Sequence, residues 1–134
     1  MRNSLKLGYF RLPDSDEEND CAVRACEVAF GMTYRQAHSY LKTQGRVDGD
    51  GCNMSWLTNA RWGVQPLEGF TLKRAPFERR LRLHRRARHL TEGVWLVLIP
   101  EHVFAIRNGV VHDTLCMNEL LQELVNDAYR VYFH

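Results

Sequence analysis

Residues 94–115 leave the chain few choices. Val94-Trp95-Leu96-Val97-Leu98-Ile99 is an unbroken apolar run rich in β-branched and aromatic residues, the pattern of a strand buried on both faces. Pro100 ends it, because proline has no N–H to give to a ladder. Next, 102–107 and 110–115 flank Asn108-Gly109, a pair that takes up positive φ easily and favours a two-residue hairpin turn. The stretch predicts an antiparallel meander whose central strand is 94–99.

The turn also predicts which side chains meet. Closing it on Asn108-Gly109 sets Arg107 opposite Val110, and counting outward sets Phe104 opposite Asp113 and His102 opposite Leu115. Side chains alternate along a strand, so His102, Phe104 and Ile106 share a face with Val111, Asp113 and Leu115, while His112 points the other way. A carboxylate and an imidazole on an otherwise apolar face need each other, since burying either without a partner is costly. The diagonal from His102 to Asp113 is about 7–8 Å between backbones, within side-chain reach. Such a pair either only steadies the hairpin or forms half of a catalytic group. In the second case the carboxylate fixes the tautomer and leaves the other ring nitrogen to take a proton. A two-residue slip would keep the pair, whereas a one-residue bulge would favour His112.

The first half of the chain has helical period. Asp20 is a suitable N-cap, Ala22, Ala25, Cys26, Ala29 and Phe30 follow at helical spacing, and Gly31 stops the run. Thr33 and Gln36 have capping-box spacing for a second helix with Tyr34, Ala37, His38 and Leu41 on one side, ending at Gly45. A VDGDG loop leads to a short third helix over 55–62. Beyond the hairpin, 118–127 predicts a helix with Leu120, Leu121 and Leu124 on one stripe, and 129–133 a last strand. The basic stretch 71–90 reads as either a basic helix or an irregular arm. The class is α+β, with N-terminal helices packed on a C-terminal antiparallel sheet. With no internal repeat or low-complexity linker, 1–134 is read as a single domain, long enough to bury a core unaided.

Cys21 falls in the first turn of the first helix, where unpaired N–H groups and the helix dipole favour an anion. Both lower a thiol pKa and raise the fraction of nucleophilic thiolate, and the same N–H groups suit an oxyanion. The acids at 17, 18 and 20 oppose this by like charge. Cys26 lies on the apolar stripe and reads as core, as do Trp56, Trp62 and Trp95.

Composition narrows the classes. No run reaches the roughly 18 apolar residues of a membrane span, and MRNSLKLGYFRLP lacks the apolar stretch of a secretory signal, so a reducing cytoplasm is the expected compartment. The four cysteines lack the paired spacing of a zinc site, and no metal or cofactor is expected. Net charge is only +2 but unevenly spread: 14–20 hold five acids and no base, whereas 71–90 hold eight Lys or Arg against Glu78 alone. Arg79, Arg80, Arg82, Arg85 and Arg86 are the core of that patch, suited to an acidic protein partner or to nucleic-acid phosphates. Phe77 is its one aromatic residue, poor support for base stacking.

Asn19-Asp-Cys-Ala-Val-Arg-Ala25, Gly31-Met-Thr-Tyr-Arg-Gln-Ala-His38 and the hairpin from Gly93 to Thr114 together resemble the papain-like cysteine peptidases, more narrowly their small representatives in bacteria and phages. The resemblance spans most of 17–115. It implies Cys21 as nucleophile, His102 as base and then acid, and Asp113 as the group orienting His102. It further implies a protein or peptide substrate, attacked at an amide, isopeptide or thioester bond, and the cytoplasm of a bacterial host for a bacterial or phage-encoded protein. The family supplies an oxyanion-hole glutamine before the cysteine. None precedes Cys21, and Asn19 is the nearest amide. A neighbouring cell-wall peptidase branch uses a second histidine as orienter, a role that would fall to His112. The alternative reading is a weakly active or inactive module of the same fold that docks its partner through 73–88.

Overall fold

The computed structural model describes residues 5–8, 21–43, 69–77, 79–113 and 117–134. In chain order the elements are β1 (Lys6–Gly8), α1 (Cys21–Phe30), α2 (Tyr34–Thr43), β2 (Phe70–Arg74), α3 (Leu83–Arg86) with a 3-10 turn at Ala87–His89, β3 (Val94–Ile99), β4 (His102–Arg107), β5 (Val110–His112), α4 (Met117–Gln122) and β6 (Asp127–Phe133). The six strands form one sheet in the order β1-β5-β4-β3-β6-β2. Only the β1–β5 pairing is parallel, so the architecture is α+β with helices on a mainly antiparallel sheet.

The meander takes the register its turn dictates. Arg107 pairs with Val110 and Ala105 with His112. Asn108 and Gly109 both have positive φ, 49° and 81°, the conformation that matches the twist of the two strands. β3 lies between β4 and β6, and five of its six residues are buried. A second two-residue turn, Pro100-Glu101, joins it to β4.

Alternation divides the core into two layers. On one face Leu96, Val103, Ala105 and Tyr129 pack with Ala22, Val23, Cys26 and Ala29 of α1 and with Ala37 and Leu41 of α2. On the other, Val97, Phe104, Ile106 and Val111 pack with Leu83, Ala87 and Leu90 and with Leu120 of α4. Both sides of β3 are thereby dry, as its continuous apolar sequence requires. The helix signals are realised: Gly31 takes φ 64° after α1. Ahead of α2, the Thr33 N–H donates to Gln36 Oε1 at 2.9 Å and the Gln36 N–H donates to Thr33 Oγ1 at 3.1 Å.

Three expectations need correction. The helix over 118–127 is shorter, Met117–Gln122, because the following backbone is drawn into bonds with the basic segment. The Leu83 N–H donates to the Glu123 carbonyl, the Val125 N–H donates to the Leu81 carbonyl, and Arg82 bridges Leu124. Leu124 is consequently 38% exposed instead of sharing a buried stripe. The stretch 71–90 is neither a basic helix nor an irregular arm: its start belongs to edge strand β2, and 83–89 form a short helical turn that buries Leu83 and Ala87. The last strand starts two residues earlier than expected, at Asp127. The Asp20 cap, the stop at Gly45, the VDGDG loop, the helix over 55–62, Trp56, Trp62, Cys52, Cys116 and Leu115 lie outside the described residues.

Removing the capping box tests this account of α2. Thr33→Ala should lower the free energy of unfolding by about 1 kcal/mol in denaturant titrations, with the spectrum of the folded state unchanged.

Candidate active site

Cys21 is the first residue of α1, in the turn whose N–H groups have no helical carbonyl to satisfy them. The layer that holds α1 against Val103 and Ala105 brings this end of the helix to the start of β4, where His102 is the first residue. Asp113 follows the last residue of β5. Three distant segments converge here.

His102 Nε2 and Asp113 Oδ2 are 2.7 Å apart. Asp113 is 4% exposed, a carboxylate that would be costly to bury without this partner. With Nε2 committed to Asp113, Nδ1 is the ring nitrogen left for the hydrogen bond between His102 and Cys21. The ring also stacks on Phe104, with centroids 6.2 Å apart, which limits its rotation.

The ladder geometry explains how a residue from one face meets a cysteine from the other. Alternation groups His102 with Phe104 and Ile106, opposite the α1 layer. β4 pairs with β3 along its whole length, but with β5 only from Ala105 to Arg107. The expected Phe104–Asp113 pairing is therefore not formed, although the side chains that it was to bring together do meet. The Pro100-Glu101 turn makes His102, Phe104 and Ile106 the residues whose N–H groups face β3, so the Val103 N–H faces the side that β5 leaves open. It donates to the Cys21 sulfur. This donor was missed in the sequence, although the two-residue turn carried the information.

The electrostatics follow from these contacts. Burial pushes the Cys21 thiol up, but the bonds from His102 and the Val103 N–H, with the nearby imidazolium, outweigh it and hold the thiol below its ordinary 9.0. Burial alone would push His102 down. The bonds to Asp113 and Cys21 and the charges of both raise it to about 9. The contacts that hold the Cys21 thiol down are those that hold the His102 imidazolium up, so each charge stabilises the other in a thiolate–imidazolium pair with Asp113 behind it.

The remaining expected residues divide. Cys26 is fully buried in the α1 layer. His112 is half-buried on β5, held below its ordinary value by burial and by Arg107, and Asp113 is the residue hydrogen-bonded to His102. Asn19 lies outside the described residues. In the basic segment, Arg86 stacks over Phe77 at 4.0 Å and donates to the Arg79 carbonyl, and Arg82 donates to the Gln122 carbonyl. Arg79, Arg80 and Arg85 are exposed. Among the described residues no three metal-ligating side chains converge, and no helix is long and apolar enough to cross a membrane.

No family model, no curated protein and no solved structure matches the chain.

Alkylation tests the charge state. In iodoacetamide titrations Cys21 should label with a half-rise below pH 9.0 while Cys26 stays unmodified in the folded protein. Asp113→Asn should move that half-rise upward. Losing the Asp113 carboxylate lowers the His102 pKa and with it the strongest force favouring the thiolate, whereas the direct repulsion between Asp113 and Cys21 is the weakest of the contributions.

Proposed function

We propose that the protein is a papain-like thiol hydrolase acting on amide, isopeptide or thioester bonds. One observation carries the reading: the thiol of Cys21, the imidazole of His102 and the carboxylate of Asp113 are hydrogen-bonded in series, with the sulfur at a helix N-terminus. A purely structural His–Asp pair needs no thiol on its second nitrogen.

The chemistry follows from the order of contacts. His102 holds the proton of Cys21, and the thiolate adds to a substrate carbonyl carbon. The oxygen that gains the charge is received by N–H groups at the start of α1. As the tetrahedral species collapses, His102 gives its proton to the leaving nitrogen or sulfur, and an acyl thioester stays on Cys21. Water then enters, His102 takes one of its protons, and the acid product leaves with the thiol restored. Asp113 orients the ring and stabilises its charged form without giving up a proton of its own.

A docking module without catalysis is the second reading, favoured by the exposed row Arg79, Arg80 and Arg85. It requires that Cys21→Ala leave the biological activity intact while charge reversal at Arg79, Arg80 and Arg82 removes it. The hydrolase requires the reverse.

An activated ester tests the enzyme directly. With p-nitrophenyl acetate the protein should release a burst of nitrophenolate as an acetyl group appears on Cys21, seen by intact mass and peptide mapping. Cys21→Ala should abolish the burst, and His102→Ala should slow it about 10²- to 10⁴-fold. Acetylation spread over other side chains would exclude the reading.

A further inference from the structure

The end of α1 opposite Cys21 is held by a residue that the hydrolytic steps leave unused. In a continuing helix the Met32 N–H would go to the Val28 carbonyl. After Gly31 it goes to the Glu27 carbonyl instead, at 3.0 Å, and Val28 is left without that donor. The last turn of α1 holds no basic residue of its own. Arg107, the last residue of β4 and 79 positions along the chain, donates from Nη1 to the Val28 carbonyl at 2.8 Å. Its charge also meets the negative end of the helix dipole.

This bond ties the far end of the helix to the strand that carries the site. Val103, Ala105 and Arg107 alternate onto the face that α1 covers. Cys21 meets His102 and the Val103 N–H at the start of β4, and Val28 meets Arg107 at its end. α1 and β4 therefore run in the same direction, tied together at both ends. The spans agree. Cys21 to Val28 is about 10 Å of helix, Val103 to Arg107 is about 13 Å of strand, and the reach of an arginine covers the difference.

The packing between the two ties is made of small groups. α1 brings Ala22, Ala25, Cys26 and Ala29, all buried, into the layer that it shares with Val103 and Ala105. Small side chains let a helix lie close but give shallow ridges, so they oppose a slide along the strand only weakly. The bulk lies at the C-terminal end, where Phe30 packs on Phe70 at 5.0 Å and Phe70 on Phe133 at 5.1 Å. The Arg107 guanidinium lies 5.7 Å from the Phe133 ring, so the arginine is itself held by groups that lead back to α1.

We infer that Arg107 is a positioning residue for the reaction: by fixing where α1 lies along β4, it sets the Cys21 sulfur against the His102 ring. The inference rests on the hydrolase reading and adds a residue that acts through α1 without touching the substrate. A slide of α1 by one residue, about 1.5 Å, would stretch both bonds at the sulfur. The bond from His102 to Asp113 lies within one hairpin and would remain.

The test reads the sulfur while changing the other end of the helix. Arg107→Met keeps the side-chain stem and removes the donor. In iodoacetamide titrations its Cys21 half-rise should move up by about half a pH unit or more, toward the ordinary 9.0, because the bonds from His102 and the Val103 N–H hold the thiol down. Acetylation of Cys21 by p-nitrophenyl acetate should slow about tenfold. Arg107→Lys, still cationic and able to donate to a carbonyl, should recover most of both. Should Arg107→Met not fold, Phe133→Leu should give a smaller shift in the same direction. Thr33→Ala, which weakens α2 instead, should leave the half-rise in place. An unmoved half-rise in the folded variants, with only the melt lowered, would make the bond a helix cap alone and overturn the inference. An equal shift in Thr33→Ala would overturn it too. So would a shift that vanishes in about 0.5 M salt, where screening is much shorter than the roughly 10 Å at 0.1 M, since it would report lost charge and not lost position. An alkylation shift in a protein whose parent is never acetylated at Cys21 would sustain the positioning and count against the hydrolase alone.

Discussion

A carboxylate almost out of reach of water has to be paired, and the rest of the site follows from how Asp113 is paired. Its partner is the Nε2 edge of His102, which leaves one nitrogen to face the thiol. The pairing depends on register. Alternation means that shifting β5 by one residue would put His112 where Asp113 stands and turn the carboxylate toward the opposite layer. What prevents the shift is the turn, where Asn108 and Gly109 both tolerate positive φ. Two residues far from any chemistry thereby decide which group stands behind the histidine.

The sequence is most legible where a short-range pattern settles the structure. α1, the reciprocal Thr33–Gln36 bonds, the buried strand Val94–Ile99 and the Asn108-Gly109 hairpin were readable because spacing and turn residues agree with the tertiary layers. The meeting of His102 with Asp113 was readable for the same reason, since parity within one hairpin is a local property. Convergence with Cys21 was suggested only by the family resemblance, because no local pattern relates residue 21 to residue 102.

What was not readable depends on neighbours distant in sequence. β2 has the period of a strand, with Phe70 and Leu72 half-buried and Thr71 and Lys73 exposed, but it is short and ends in two cations. A sheet edge tolerates that composition and an interior does not. α4 stops at Gln122 although its leucine spacing continues, because the backbone at 123–125 is captured by residues 81–83. The Val103 N–H became a site donor only because β5 ends early, and how far a strand runs is set by what it packs against.

The same early end of β5 accounts for the balance of charge at the sulfur. A half-buried thiolate is disfavoured by desolvation, the largest single influence on Cys21, so no one contact suffices to hold it. The His102 ring and the Val103 N–H act together, and the sulfur sits where the two converge.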